Sequence, residues 1–424
     1  MSSNLNMRSP EQIAKEKDES DVLKDFRNEF IFPTPPKGKE TFYFAGNSLG
    51  LQPKRVKEYV VQEIDEWARL AVDGHTHAKN PWVAYHEYLN ASTARLVGAK
   101  PHEVVVMNSL TVNLHLMMVS FFRPSGRRNR ILIEGGAFPS DQYAVKSQLL
   151  FHGLPETCLV ELKPREGEDL LRPDDILAAI AREGEDLALV LLGNVNYLTG
   201  QHFSIPNITQ AAHKVGAKIG FDLAHGAGNL LLNLNQDGPD FAVWCSYKYL
   251  NAGPGAIAGC FIHERHAQNF TLPRFAGWWG HNKASRFKMG PLFDAIQGAD
   301  GWQLSNPPIF QLAALRASME IFDRAQMRRI KVKADDMTTY LEFMLRRFPE
   351  IEVISPRDLK QRGTQLSLRI KGRSKELLSD LAKEGVVCDF REPNIIRVAP
   401  VALYTRYHDL NKFVEILTTC LKKP

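Results

Sequence analysis

From about residue 100 onward the chain alternates short apolar runs with amphipathic stretches. HEVVVMNS (102–109), RILIEG (130–135), LALVLLGN (187–194) and AKIGFDLA (217–224) are continuous apolar runs of strand length, bounded by polar or small residues. Between them, TVNLHLMMVSFF (111–122), PSDQYAVKSQLLFHG (139–153) and IPNITQAAHKVG (205–216) read as helices, and DFAVWCSYK (240–248) and AIAGCFIH (256–263) as two further β-like runs. Strands alternating with helical crossovers predict an α/β fold with a largely parallel sheet covered by helices on both faces. Ligands of such sheets bind beyond the carboxyl ends of the strands. After Pro307-Pro308 the texture changes. A long helical stretch (about 309–348) leads to GTQLSLRIK (363–371), SKELLSDLAKEG (374–385), VVCDF (386–390), NIIRVAP (394–400) and a closing helix, DLNKFVEILTTCLKK (409–423). The division expected is an N-terminal arm (1–60), a large domain (61–308) and a smaller C-terminal α+β domain (309–424).

Bulk properties narrow the function classes. A chain of 424 residues exceeds one simple core, and 44% hydrophobic with 24% charged residues is a soluble globular composition. The net charge of +5 is mild, and the basic clusters Arg127-Arg128-Asn129-Arg130 and Arg328-Arg329-Ile330-Lys331 are short. They read as solvated faces, so no nucleic-acid partner is expected. The cysteines at 158, 245, 260, 388 and 420 are scattered, without CxxC spacing, which fits a reducing compartment better than a disulfide framework or a zinc site. No apolar run approaches the roughly 20 residues that span a bilayer. The opening MSSNLNMRSPEQIAKEKDES is polar and contains acidic residues, unlike a secretory or transit segment. A cytoplasmic protein without a membrane partner is expected.

Three strand ends carry chemistry. At Asn108-Ser109-Leu110-Thr111 a strand runs into a helix, whose free N–H groups and dipole make a phosphate seat; Thr near a helix start is also common for capping alone. Asp222 closes the strand AKIGF, where a carboxylate is costly to desolvate unless a cation faces it. It too could simply cap the next helix. Lys248, in CSYKYLNAGPG (245–255), ends a later apolar run; a solvent-exposed lysine is the bland alternative. Together the three meet the needs of pyridoxal 5'-phosphate: an amine for a Schiff base, an anion beside the ring nitrogen, and an anion seat for the phosphate.

Around these positions stand FYFAGNSLGLQP (42–53), MNSLTVNLHL (107–116), AFPSDQYA (137–144), NYLTGQHFSIP (196–206), GFDLAHGAGN (220–229), WCSYKYLNAGPGAIAG (244–259), GWWGH (277–281), SNPPIF (305–310) and VVCDFREPNIIRVAPVALY (386–404). In this order they resemble the kynureninases, fold-type-I pyridoxal-phosphate enzymes of the aminotransferase class V group. The resemblance implies that fold, with that cofactor, and hydrolysis of L-kynurenine or 3-hydroxy-L-kynurenine to alanine and the corresponding anthranilate. It also implies a homodimer with shared active sites.

Residue by residue, the resemblance makes Lys248 the Schiff-base lysine and Asp222 the partner of the ring nitrogen, with His225 beside it. Leu110, Thr111 and Tyr247 match phosphate-side positions; Tyr247 is also the leading candidate for proton transfer at the γ-carbonyl. Phe138 matches the aromatic over the ring, and Asp141 a second cofactor carboxylate. Trp278 and Asn306 match positions supplied by the neighbouring subunit. Ser48, His75, Asn306 and Arg397 match substrate contacts. Gly193 departs from the pattern, since some members carry a serine there. His75 and His77 (HTH) invite a metal reading, but turn residues surround them and no metal is expected. Arg397 interrupts an apolar strand and reads either as a structural ion pair or as a grip on a substrate carboxylate. The alternative enzyme class is a cysteine desulfurase or selenocysteine lyase, which needs a nucleophilic cysteine on a mobile loop. A non-catalytic interaction protein that kept the fold is a further alternative, and the presence of Lys248, Asp222 and Thr111 speaks against it.

Overall fold

The computed structural model describes residues 9–372 and 375–422. Residues 1–8, which open the arm, and Ser374 and Lys423, which end two of the expected helices, lie outside them. The large sheet has seven strands: β1 (Val104–Val106), β2 (Arg130–Glu134), β3 (Leu159–Leu162), β4 (Leu187–Gly193), β5 (Lys218–Asp222), β6 (Phe241–Trp244) and β7 (Gly259–Ile262). They lie in the order β1-β7-β6-β5-β4-β2-β3. Every pairing is parallel except those of β7, which runs antiparallel to β1 and β6.

Alternate residues of one strand enter different cores. Leu132, Val190, Leu192, Ile219 and Phe221 pack on one face of the sheet, and Ile131, Ile133, Leu189 and Leu191 on the other. Burial on both faces is why these strands read as unbroken apolar runs. The strand β3 lies at the sheet edge and is only partly buried, so LVEL lacks that signature and falls outside the elements expected from the pattern. The run DFAVWCSYK leaves the sheet at Trp244, four residues before Lys248. Opposite Trp244 sits Gly259, where a Cβ would come within 2.1 Å of the indole; only glycine lets the ring lie flat there.

The helices that position the site are α3 (Leu110–Phe121), after β1, and α4 (Pro139–Phe151), after β2. The long helical stretch breaks at Gln326, which has φ +65°, into α7 (Ile309–Ala325) and α8 (Met327–Leu345). Leu312, Leu315 and Met319 of α7 belong to the large core, whereas Met337, Leu341 and Leu345 of α8 belong to a second core. That second core lies beneath an antiparallel sheet of β8 (Ile351–Val353), β9 (Leu366–Ile370), β11 (Ile395–Val398) and β10 (Asp389–Arg391), in that order. The closing helix α10 (Tyr407–Leu421) packs on it. The N-terminal helix α1 (Pro10–Ser20), held by a capping box between Ser9 and Gln12, lies along α10. Phe42–Tyr43 pairs in parallel with Val386–Val387 in a separate two-stranded sheet, and Phe42 and Val386 both join the second core, which ties the N-terminal segment to it. Among the described residues no helix is long and apolar enough to cross a membrane.

Candidate active site

The carboxyl ends of β2, β4 and β5 and the N-terminus of α3 open onto one pocket, lined by Leu110, Thr111, Phe138, Asp141, Asp222, His225, Tyr247 and Lys248. These come from four separate stretches of sequence. Lys248 stands in a tight turn after β6, in which the Asn251 N–H donates to its carbonyl at 3.0 Å and the Ala252 N–H to that of Ser246 at 3.0 Å. Asn251 takes φ +55° to close it. The Gly50 N–H donates to the Tyr247 carbonyl at 2.8 Å, so the N-terminal segment braces this turn from outside.

Lys248 Nζ lies 3.1 Å from His225 Nε2 and 5.7 Å from the Phe138 ring centroid. Burial pushes the His225 imidazole well below its ordinary pKa, helped by the positive charges of Lys248, Arg397 and Arg391. His225 is therefore neutral, and its Nε2 accepts from the ammonium. Asp222 accepts from the Ala224 N–H at 2.6 Å. Burial raises its pKa, while Lys248, that N–H and a hydrogen bond from Asp141 hold the rise back. Asp141 is pushed well up, by burial first and then by the charge of Asp222. Burial of two like charges in one pocket drives both carboxyls towards the protonated form, Asp141 more strongly than Asp222, which the charge of Lys248 opposes. The Tyr247 phenol is likewise pushed up, by burial first and then by the neighbouring Cys245, so it keeps its proton at neutral pH.

Arg397, 1% exposed, stands behind the pocket wall. The fork is turned on Asp389: Nε donates to Oδ1 at 2.6 Å and Nη2 to Oδ2. Nη2 also donates to Ser48 Oγ at 3.1 Å and Nη1 to the Tyr197 carbonyl at 2.7 Å. Among the described residues this leaves one Nη1 N–H without an acceptor. Burial would raise the Asp389 pKa, but the hydrogen bonds and charge of Arg397 overcome it and hold the carboxylate below its usual range. Tyr197 lines the pocket and meets Phe138 edge-on at 5.3 Å, so Ser48 and Arg397 adjoin the site through one residue.

Three expected residues lie elsewhere in their own chain. His75 packs edge-on against Trp82 at 5.5 Å. Trp278, 40% exposed, donates from Nε1 to the Arg286 carbonyl at 3.2 Å and lines a separate surface cavity with Met289 and Phe293. Asn306 is exposed in the loop before α7.

The comparisons with known proteins bear on the whole chain. The model of the kynureninase C-terminal domain matches residues 330–417. A kynureninase of Myxococcus xanthus is 59% identical over 410 residues, which cover 96% of each chain. A kynureninase of Koribacter versatilis is 55% identical over 408 residues, again 96% of each. The chain belongs to the kynureninase family. Solved structures that share its fold include a cysteine desulfurase from Thermococcus onnurineus (TM-score 0.73, 19% identity, 98% of this chain and 99% of that one) and the cystine C-S lyase C-DES (TM-score 0.77, 16% identity, 90% and 97%). They place this kynureninase-family chain in the fold-type-I architecture expected from its sequence.

Pyridoxal phosphate fits what this kynureninase-family pocket leaves open. Ser109 makes no side-chain cap on α3, so the first-turn N–H groups at Leu110 and Thr111 are available to an anion. Phe138 is 44% exposed although it lines the pocket, which leaves one ring face for a planar ligand. His225 Nδ1 and Asp141 Oδ1 are buried and, among the described residues, have no hydrogen-bond partner. Glu134, Asn196 and Tyr197 line the same pocket and were not among the residues expected from the sequence. Glu134 closes β2 as Asp222 closes β5, so an acidic residue ending an apolar strand was a legible signal. Burial pushes it up to about 7, with the amide of Asn196 holding it back.

Proposed function

We propose that the chain hydrolyses the Cβ–Cγ bond of L-kynurenine or 3-hydroxy-L-kynurenine, with pyridoxal phosphate as cofactor, to L-alanine and the corresponding anthranilate. This places it in tryptophan catabolism and in supply of NAD precursors. The observation that carries the reading is Lys248 Nζ in one pocket with Asp222, neutral His225 and the open N-terminus of α3, in a chain of the kynureninase family. When bound, the cofactor withdraws the electrons left as the bonds at the substrate's Cα and Cβ break. Lys248 would hold the cofactor and, as a free amine, take the substrate's α-proton. Asp222, with Asp141 in the same pocket, would keep the ring nitrogen charged. Tyr247 retains its proton and is our choice for the donor to the γ-oxygen as water adds. Arg397 and Ser48 supply the polar wall for the substrate's α-carboxylate, which competes with Asp389 for the guanidinium. An absorbance scan followed by a kynurenine turnover assay tests the reading: no visible band and no anthranilate would refute it.

Cysteine desulfurase chemistry is disfavoured. All five cysteines are buried, and burial pushes up the thiols of Cys245, Cys260 and Cys388, the opposite of an activated nucleophile. All five are free thiols, which supports a reducing compartment such as the cytoplasm.

The working unit is a homodimer in which Trp278 and Asn306 act at the neighbour's pocket. Phe270, Phe275, Phe287, Met289 and Leu292 lie within fourteen residues of Trp278 in sequence and are all more than half exposed, as apolar residues covered by a partner would be in a single chain. Mixing a Lys248→Ala chain with a Trp278→Ala/Asn306→Ala chain should restore part of the activity that each lacks. No recovery after verified subunit exchange would count against shared sites.

A further inference from the structure

Glu134 and Asn196 form a buried pair at the pocket floor, 6% and 8% exposed, in which Asn196 Nδ2 donates to Glu134 Oε1. An acceptor at 134 orients the amide. With Nδ2 turned to Glu134, Asn196 Oδ1 faces its own turn and accepts from the N–H groups of Leu198 at 2.8 Å and Thr199 at 2.7 Å. A side chain that caps its own turn in this way sets the backbone of the residues it spans.

The other side of that turn belongs to the small sheet. The Tyr197 carbonyl accepts from Arg397 at 2.7 Å and Gln365 at 3.1 Å, and the Thr199 carbonyl from Ser355 Oγ. The Tyr197 ring meets Phe138 and lies 6.0 Å from the Arg397 guanidinium carbon. The 196–199 turn is thus the piece of backbone that touches both the pocket and the Arg397 cluster, and Glu134 holds it from the large-sheet side.

We propose that Glu134 is a positioning residue: through Asn196 it fixes the Tyr197 turn, and so sets Arg397 relative to the Phe138 face of the pocket. Its effect on substrate rests on the kynurenine reading above; its effect on the turn does not. The group needed at 134 is a hydrogen-bond acceptor at the reach of a glutamate, so Glu134→Gln preserves the device and Glu134→Ala removes it.

The test compares these two variants with the unaltered chain. Hydrogen exchange in peptides spanning 194–203, measured without substrate, should speed up by about tenfold in Glu134→Ala and stay unchanged in Glu134→Gln. In steady state Glu134→Ala should raise KM for kynurenine by about tenfold with kcat within about threefold, and Glu134→Gln should restore it. The double variant Glu134→Ala/Asn196→Ala should be no worse than Asn196→Ala alone, because Glu134 acts on the turn only through Asn196. Unchanged exchange and KM in Glu134→Ala, a Gln variant as impaired as the Ala variant, or additive losses in the double variant would each overturn the proposal. If Glu134→Ala does not fold, Asn196→Ala breaks the same link with Glu134 in place and is read by the same exchange measurement. If the unaltered chain fails to turn over kynurenine, the functional reading falls while the exchange comparison still decides this one.

Discussion

Lys248→Ala should lose kynurenine turnover by about ten-thousand-fold or more, since one change removes both the covalent anchor for the cofactor and the base for the α-proton. The fold should survive it. Lys248 is only half-buried and, among the described residues, has a single side-chain hydrogen bond, to His225 Nε2, so stability should change by no more than about 1 kcal/mol. Loss of turnover with an unshifted thermal melt is the expected pair of results. A variant that retained even a tenth of the activity would remove Lys248 from the centre of the mechanism.

Arg397→Lys should weaken kynurenine binding by roughly thirty- to several-thousand-fold, corresponding to about 2–5 kcal/mol for a buried charge-assisted pair. An ammonium cannot reproduce the planar fork. From sequence alone this variant is expected to keep its fold, but the structure alters that expectation. The fork holds Asp389 on the adjacent strand, so lysine leaves a buried carboxylate short of donors and should cost about 1–3 kcal/mol of stability as well. Substrate titration below the variant's own melting temperature separates the two effects. A lowered melt with unchanged affinity would make Arg397 a structural ion pair only.

What was legible in the sequence follows from which forces act locally. Burial on both faces wrote β1, β2, β4, β5 and β7 as apolar runs, and the edge strand β3, buried on less than one face, left no such mark. Asp222 and Lys248 stood out because a charge that ends an apolar run has to be explained. Glu134 sent the same signal but is followed by Gly135-Gly136, which reads as an ordinary turn. The pairing of Arg397 with Asp389 was hidden because it depends on the register of β10 against β11, in which the two residues are cross-strand partners. The role of the Tyr197 turn was hidden for a longer-range reason, since its acceptors are filled from Gln365 and Arg397 in the other sheet. Trp278, Asn306 and His75 came from the family resemblance alone, and nothing around them within one chain marks them as site residues.

The central claim is that Lys248 carries the cofactor, and borohydride reduction of the purified protein followed by peptide mass mapping tests it most directly. The account predicts loss of the visible band and a pyridoxyl mass on the peptide that contains Lys248. A pyridoxyl mass on another lysine, or none on a protein that showed the band, would contradict it.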